Sequence, residues 1–354
     1  MAGTRMMVWW GRFDPEYSRN RILRRLLLEE NWRIRDFRPR INLFAPWEAD
    51  WAVRERPDLV WVPCFRQRDL LSARAWSSRR KVPLVFDPLI SSYDKQVEER
   101  GKYLPESLRA GRILRWETAL FRAADRVLAD TREHARYFTD TFGLSAEKVS
   151  VVPVGAEESL FFPAKQPAPP VSGPLEVLFY GSFLPLQGPQ VIARAARLYQ
   201  GPPVAWRFIG SGPLSDECRR LTNGLDNVHF DPEVPYERLA DEIRNADILL
   251  GVFGVTPKAG RVIPNKVFQS MACGKPVITR RSPAYPSTLL ECDTAGIAWV
   301  DPGSPEALCR AVAVLAERAD HLVEMGKRSR ETYEAHFSME MVRNSLKRAL
   351  AGLA

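Results

Sequence analysis

The sequence predicts an α/β chain made of two doubly wound parallel sheets, and three observations carry the prediction. The length, 354 residues, is about two domains' worth. Near its middle, residues 163–174 read PAKQPAPPVSGP, five prolines in twelve, which neither a helix interior nor a central strand tolerates. On each side one grammar recurs: a short apolar run rich in β-branched residues, a Gly/Pro break, then an amphipathic stretch.

Taken in order, the first half predicts strands at 6–10, 33–37, 58–64, 82–87, 126–130 and 149–154. The second half predicts them at 175–180, 204–209, 227–231, 247–253, 275–279 and 296–300. Most are continuous apolar runs rather than alternating ones, as in a parallel sheet covered on both faces. Between them, Pro189 to Gln200 sets Ile192, Ala195, Ala196 and Tyr199 on one helical face, and Tyr236 to Asn245 does so with Leu239 and Ile243. The expected organisation is a Rossmann-like domain over 1–165, a Pro-rich linker over 166–174 and a second Rossmann-like domain over 175–338. A terminal helix over 339–354 is expected to pack toward the first domain. Two such domains are expected to face each other across a ligand cleft at the carboxyl ends of their strands.

Composition excludes several classes. No apolar run approaches the ~20 residues of a membrane-spanning helix. The N-terminus opens directly into Met6-Met7-Val8-Trp9-Trp10, too short for a signal-peptide core, so the expected location is the cytoplasm. The five cysteines are scattered without a C-x-x-C pair, and the four histidines lack i, i+4 spacing, so no metal site is expected. Residues 1–165 carry 30 Lys+Arg against 23 Asp+Glu, nearly all of the net +8 charge. That basic half suits an acidic acceptor or peripheral contact with an anionic membrane, such as the inner face of the plasma membrane. Arginine-rich genome bias explains it equally well. Nucleic acid is not an expected partner, since no recognisable binding motif is present.

Three glycine-bearing turns follow strands in the second half: Gly181-Ser182-Phe183-Leu184-Pro185-Leu186-Gln187-Gly188, Gly210-Ser211-Gly212-Pro213, and Ile263-Pro264-Asn265-Lys266. Glycines admit backbone N–H groups close to an anion, and a helix N-terminus adds its positive dipole. Pro264 suits the first helical position. Each turn alone has a steric explanation; together and in this order they point to a phosphate-bearing ligand.

With Phe208-Ile209-Gly210-Ser211-Gly212-Pro213, Asn227-Val228-His229-Phe230 and Ala246-Asp247-Ile248, these turns resemble the donor domain of the retaining family 4 glycosyltransferases of the GT-B fold. The string Pro264-Asn265-Lys266-Val267-Phe268-Gln269-Ser270-Met271-Ala272-Cys273-Gly274-Lys275-Pro276-Val277-Ile278 carries the resemblance most specifically. It spans about residues 126–340 and weakens toward the N-terminus. It implies a nucleotide-diphosphate sugar, UDP- or GDP-linked, as substrate with no separate cofactor and no obligatory metal. It implies transfer with retention to a glycan, lipid-linked or small-molecule acceptor, as in surface polysaccharide or glycoconjugate synthesis. The departing diphosphate is then expected to help deprotonate the acceptor, so no protein nucleophile is sought.

The sequence departs from the family pattern. Ser182 and Gln187 stand where the family places Arg and Lys, and Arg261 and Gln269 stand where it places two glutamates. Cations occur instead at Lys258, Arg261 and Lys266, which suggests that diphosphate neutralisation has moved there. A degenerate binding protein and a sugar-nucleotide epimerase of the same fold are the alternatives. Gln269 is read either as a ribose contact or as a solvent-facing helix residue. The expected donor site comprises Gly181, Ser182, Gln187, Gly188, Gly210, Gly212, Pro264, Asn265 and Gln269, with Lys258, Arg261 and Lys266 acting on the reaction. On the acceptor side stand Gly11, Arg12 and Phe13. Asp87, where the family often has His, is read as contacting a sugar hydroxyl or taking its proton, or as a turn residue before Pro88. Arg12, Arg19 and Arg21 are read as meeting an anionic acceptor or as a solvated face.

Overall fold

A computed structural model describes residues 5–164, 173–292 and 295–353. The chain divides into two compact units, residues 1–154 with 342–354, and 155–341. All twelve expected strands form, and all pair in parallel.

In the first unit β1 (Arg5–Trp10), β2 (Trp32–Phe37), β3 (Leu59–Val62), β4 (Leu84–Phe86), β5 (Arg126–Ala129) and β6 (Val149–Val151) lie in the order β2-β1-β3-β4-β5-β6. β3 and β4 are wholly buried, which explains their unbroken apolar runs, whereas edge strand β2 keeps Arg33 and Arg35 exposed. Trp9, Trp10, Trp61 and Trp76 fill the core, with Trp9 stacked on Trp61 at 5.5 Å. The last helix, Met339–Leu350, contributes its residues from Val342 onward to this unit. There Arg343 pairs with Glu29 at 2.6 Å and Lys347 with Glu30 at 2.9 Å.

In the second unit β7 (Leu175–Tyr180), β8 (Val204–Ile209), β9 (Val228–Asp231), β10 (Ile248–Leu250), β11 (Val277–Arg280) and β12 (Ile297–Val300) lie in the order β12-β11-β10-β7-β8-β9. Read from the other edge, this is the dinucleotide-binding order, with its direction reversing between β7 and β10. Ligands of open α/β sheets sit at such a reversal, outside the carboxyl ends of the strands.

The boundary at 165 needs correction. Residues 155–164 belong to the second unit, because their groups bond there: the Tyr333 hydroxyl reaches Glu158 at 3.1 Å, Arg244 donates to the Leu160 carbonyl at 3.2 Å, and Phe161 packs on Tyr236. The expected linker over 166–174 falls mostly on residues 165–172, which lie outside the described residues. No helix among the described residues is long and apolar enough to cross a membrane.

Candidate donor site in the second unit

The three glycine turns converge at the carboxyl ends of β7 and β10. The first begins at Gly181, in the left-handed region at φ 149°, and ends at Gly188, φ 64°. Phe183 between them is left-handed without being glycine, at φ 45°. Its fully buried ring holds that strained backbone in place, packed against Phe179 and Phe208 at 5.5 and 6.0 Å. The turn is thus anchored from below by aromatic side chains.

Gly210 and Gly212 answer to a steric requirement of the turns themselves. A Cβ on Gly210 would overlap the Gly181 carbonyl oxygen, and one on Gly212 the Ser182 carbonyl oxygen. Both glycines let the second turn close on the first. Likewise Gly188 and Gly254 let the first turn close on the loop after β10, where the Phe253 N–H donates to the Gln187 carbonyl at 3.0 Å. Close backbone approach accounts for glycine at Gly188, Gly210 and Gly212 of the expected site. Ser182 stays exposed at the tip.

Lys266 is the centre of the arrangement. The helix Asn265–Ala272 starts one residue later than expected, with Pro264 as its cap residue, because Pro264 keeps extended backbone at ψ 150°. This puts Lys266 in the first turn, pointing back under Gly181. Its ammonium lies 3.3 Å from Gln187 Oε1 and 3.8 Å from the centroid of the Phe179 ring. No carboxylate lies within ion-pairing distance among the described residues. Burial therefore pushes its pKa well below the ordinary lysine value. A buried cation held by one neutral amide and an aromatic face is costly unless an anion completes it.

Gln269 is buried one helical turn on, and its Oε1 accepts from the Tyr180 hydroxyl at 2.9 Å. The solvent-facing reading is thereby overturned. The ribose reading is constrained, since one lone pair of the acceptor oxygen is already used.

The loop after β10 carries the other two expected cations. Its short helical turn Pro257–Gly260 is capped by Thr256 Oγ1, which accepts from the Ala259 N–H, and it packs against the turn Pro185–Gln187. Lys258 is buried within it and Arg261 half-buried just beyond. Sequence reasoning missed the group that braces this loop. Arg280, ending β11, is buried and donates to the Gly254 carbonyl at 2.6 Å, while Ser282 Oγ donates to the Gly260 carbonyl at 2.8 Å. A charged residue closing an otherwise apolar strand was the available signal.

The acceptor-side expectations fare differently. Asp87 and Arg19 are both fully buried, with Arg19 Nε 2.9 and 2.8 Å from the two carboxylate oxygens. Burial opposes the Arg19 charge, yet Asp87 prevails and holds its pKa above the ordinary value. Asp87 therefore meets Arg19 rather than a sugar, and Arg19 meets Asp87 rather than an anionic acceptor. The physical reason is that neither charge could be buried without the other. Phe13 is buried against Trp9, and Gly11 makes room for Asp69, which a Cβ there would meet at 2.6 Å. Arg12 braces the next loop by donating to the Pro39 and Arg40 carbonyls, each at 2.8 Å. Arg21 pairs with Glu16 at 3.4 Å.

The first unit has instead a cavity of about 220 Å³, lined by Phe65, Arg66, Arg68, Ile90, Lys95 and Trp116 among others. Two left-handed non-glycine residues, Phe65 and Leu89, shape the loops beside it, and a π-helical turn, Asp94–Glu99, forms one wall. No sequence motif announced it, because loops from two strands and a distant helix compose it. Among the described residues no group of three or more His, Cys, Asp or Glu is placed to hold a metal ion.

Two family models match this chain, one on each unit. "Glycosyl transferase 4-like domain" matches residues 7–155, and "Glycosyl transferases group 1" matches residues 174–318. The chain belongs to the family 4 glycosyltransferases of the GT-B fold. Among its curated relatives are two D-inositol 3-phosphate glycosyltransferases. That of Acidothermus cellulolyticus is 29% identical over 59% of this chain and 49% of its own. That of Segniliparus rotundus is 27% identical over 76% of this chain and 60% of its own. The chain thus spans about half to three-fifths of the length of these relatives. Its fold is that of Anabaena HepE in complex with UDP and glucose, with a TM-score of 0.72, 14% identity and coverage of 99% and 100%. Sucrose-phosphate synthase from Thermosynechococcus elongatus shares it too, with a TM-score of 0.71, 18% identity and coverage of 97% and 98%.

Proposed function

We propose that this glycosyltransferase moves a sugar, with retention, from a nucleoside-diphosphate sugar held by the second unit to an acceptor hydroxyl. The observation that carries the reading is the Lys266 ammonium, buried without a carboxylate beneath the Gly181 turn at the β7/β10 reversal. The donor's diphosphate is the anion that completes it. In the reaction the anomeric C–O bond to the diphosphate breaks, the acceptor oxygen bonds to the same carbon, and the acceptor's proton passes to a departing diphosphate oxygen. Lys266 stabilises the charge growing on that leaving group, a preorganised electrostatic contribution. UDP is the first nucleotide to test, since HepE is described as a complex with UDP and glucose. The chemistry suits surface polysaccharide or glycoconjugate synthesis in the cytoplasm. The acceptor is proposed to enter at the Arg66–Lys95–Trp116 cavity rather than at Gly11, Arg12 and Phe13.

The test is a thermal-shift comparison of UDP, GDP, TDP and ADP, followed by transfer assays with the best donor. Binding of one nucleotide at a hundred times its Kd is expected to stabilise the second unit by about 2.7 kcal/mol. Transfer is expected to persist in excess chelator, because the neutralising cations belong to the protein. Activity abolished by chelator and restored by magnesium or manganese would refute the metal-free reading.

Arg261 offers a fork of donors and no acceptor, so it suits the diphosphate rather than sugar hydroxyls. Arg261→Glu is expected to weaken the bare nucleoside diphosphate and the sugar donor alike, by roughly ten-fold or more in Kd. Retained diphosphate binding with selective loss of a uronic-acid donor would assign Arg261 to an acidic sugar instead. Full activity of the variant would remove it from the site.

A further inference from the structure

The first unit carries a surface feature that donor chemistry does not use. The helix Ala45–Ala52 buries only Ala45, Pro46 and Ala49. Its opposite face and the turn before it leave five large apolar side chains more than half exposed. These are Ile41 at 56%, Leu43 at 74%, Phe44 at 51%, Trp47 at 61% and Trp51 at 79%. Trp47 and Trp51 are one helical turn apart, and the Phe44 ring lies 6.1 Å from Trp47. Apolar side chains this dense within eleven residues mark a contact surface.

The charges around the patch are one-sided. Its two acids are occupied: Asp50 pairs with Arg79 at 2.9 Å and Arg80 at 3.0 Å, and Glu48 accepts from the Arg40 N–H at 2.8 Å. Five nearby arginines, Arg12, Arg35, Arg38, Arg40 and Arg54, have no carboxylate within ion-pairing distance among the described residues. Arg12 and Arg35 are tied instead to backbone carbonyls, those of Pro39, Arg40 and Ala52, so their positions are set while their charge stays uncompensated. Arg38 stacks over the Phe13 ring at 5.1 Å.

We propose that the turn 41–44 and the helix Ala45–Ala52 form a docking surface for an anionic phospholipid bilayer. The indoles and aliphatic tips sit at headgroup depth, and the surrounding arginines meet the lipid phosphates. Indole is an amphipathic ring favoured at that depth, and fixed guanidinium groups match an anionic leaflet. Uncompensated cations on the segments flanking an apolar centre complement such a leaflet better than they complement a second copy of the same basic surface. The surface narrows the general basic character of the N-terminal half to named side chains.

The experiment is flotation of the whole chain with phosphatidylcholine vesicles, with and without phosphatidylglycerol. The chain is expected to float with the anionic vesicles, less so as salt rises. Trp47→Ser combined with Trp51→Ser is expected to lower the vesicle partition coefficient about ten-fold or more. Val323→Ser, an equally exposed apolar site on the second unit, is expected to leave it unchanged. Both indoles are mostly exposed, so an unaltered unfolding midpoint and an unaltered nucleotide-induced shift verify the fold and keep this test separate from the donor site. Equal flotation of the double variant, equal binding to neutral vesicles, or no flotation of the unsubstituted chain would each overturn the proposal. Self-association abolished by the double variant, in place of flotation, would assign the surface to a second copy.

Discussion

Replacing Lys266 by methionine is expected to weaken nucleoside-diphosphate binding ten- to hundred-fold while making the unliganded protein more stable. The first effect follows from losing a charge-assisted contact worth about 1.5–3 kcal/mol. The second follows because the ammonium is desolvated beside the Gln187 amide and the Phe179 and Tyr180 rings, with no carboxylate within ion-pairing distance among the described residues. An apolar side chain of similar length keeps the packing and removes that penalty, for a gain of about 1 kcal/mol, or about 2–4 °C in Tm. Titration adds an independent check. The folded-state pKa of Lys266 lies well below its ordinary 10.5. Between those two values the unfolded chain binds the proton and the folded chain does not, so Lys266 makes stability rise with pH across that window. The methionine variant is expected to lose that component of the slope. A bound diphosphate favours the charged lysine, so in the same window binding takes up a proton, read as buffer-dependent enthalpy in calorimetry. Unchanged diphosphate affinity in the folded methionine variant would remove Lys266 from the donor site.

The other large effect is expected in the first unit. Asp87→Ala leaves Arg19 charged and buried, its Nη1 still donating to the Val152 carbonyl at 3.1 Å but its carboxylate partner gone. Breaking one side of a buried pair costs about 3–5 kcal/mol, a large share of a domain's stability. Replacing both partners together, Arg19→Met with Asp87→Leu, is expected to recover most of that loss. Urea unfolding of the single and double variants measures both. A single variant as stable as the original chain would show that the pair is not what holds β4 to the helix Ser18–Glu29. A double variant as unstable as the single one would point to packing instead of charge.

The twelve strands were legible because a parallel sheet covered on both faces writes its burial directly into local apolar runs. Leu59–Val62 and Ile248–Leu250 are examples, wholly buried as their composition demands. The glycine turns were legible for a related reason: a left-handed φ or a backbone in contact leaves few choices of residue. Their packing was less so, since the Gly181 and Ser182 carbonyls that demand glycine at Gly210 and Gly212 belong to a turn about thirty residues earlier. Asp87 could not be placed from sequence at all. Its partner Arg19 is 68 residues away, and nothing local distinguishes a carboxylate at a strand end that meets substrate from one that meets a buried arginine.

The sequence by itself therefore determined the fold class, the order of elements, the family and the stretch of chain that would carry the donor turns. All of these rest on periodicity, turn chemistry and motif, which are local properties. Only the tertiary structure decided what surrounds each charged group. It closed Asp87 on Arg19, set Arg280 against the loop of Lys258 and Arg261, and buried Lys266 with no carboxylate in ion-pairing reach among the described residues. It also left Trp47 and Trp51 bare among arginines. The physical reason is that desolvation and Coulomb energy depend on what packs around a charge in space. Residues distant along the chain do that packing.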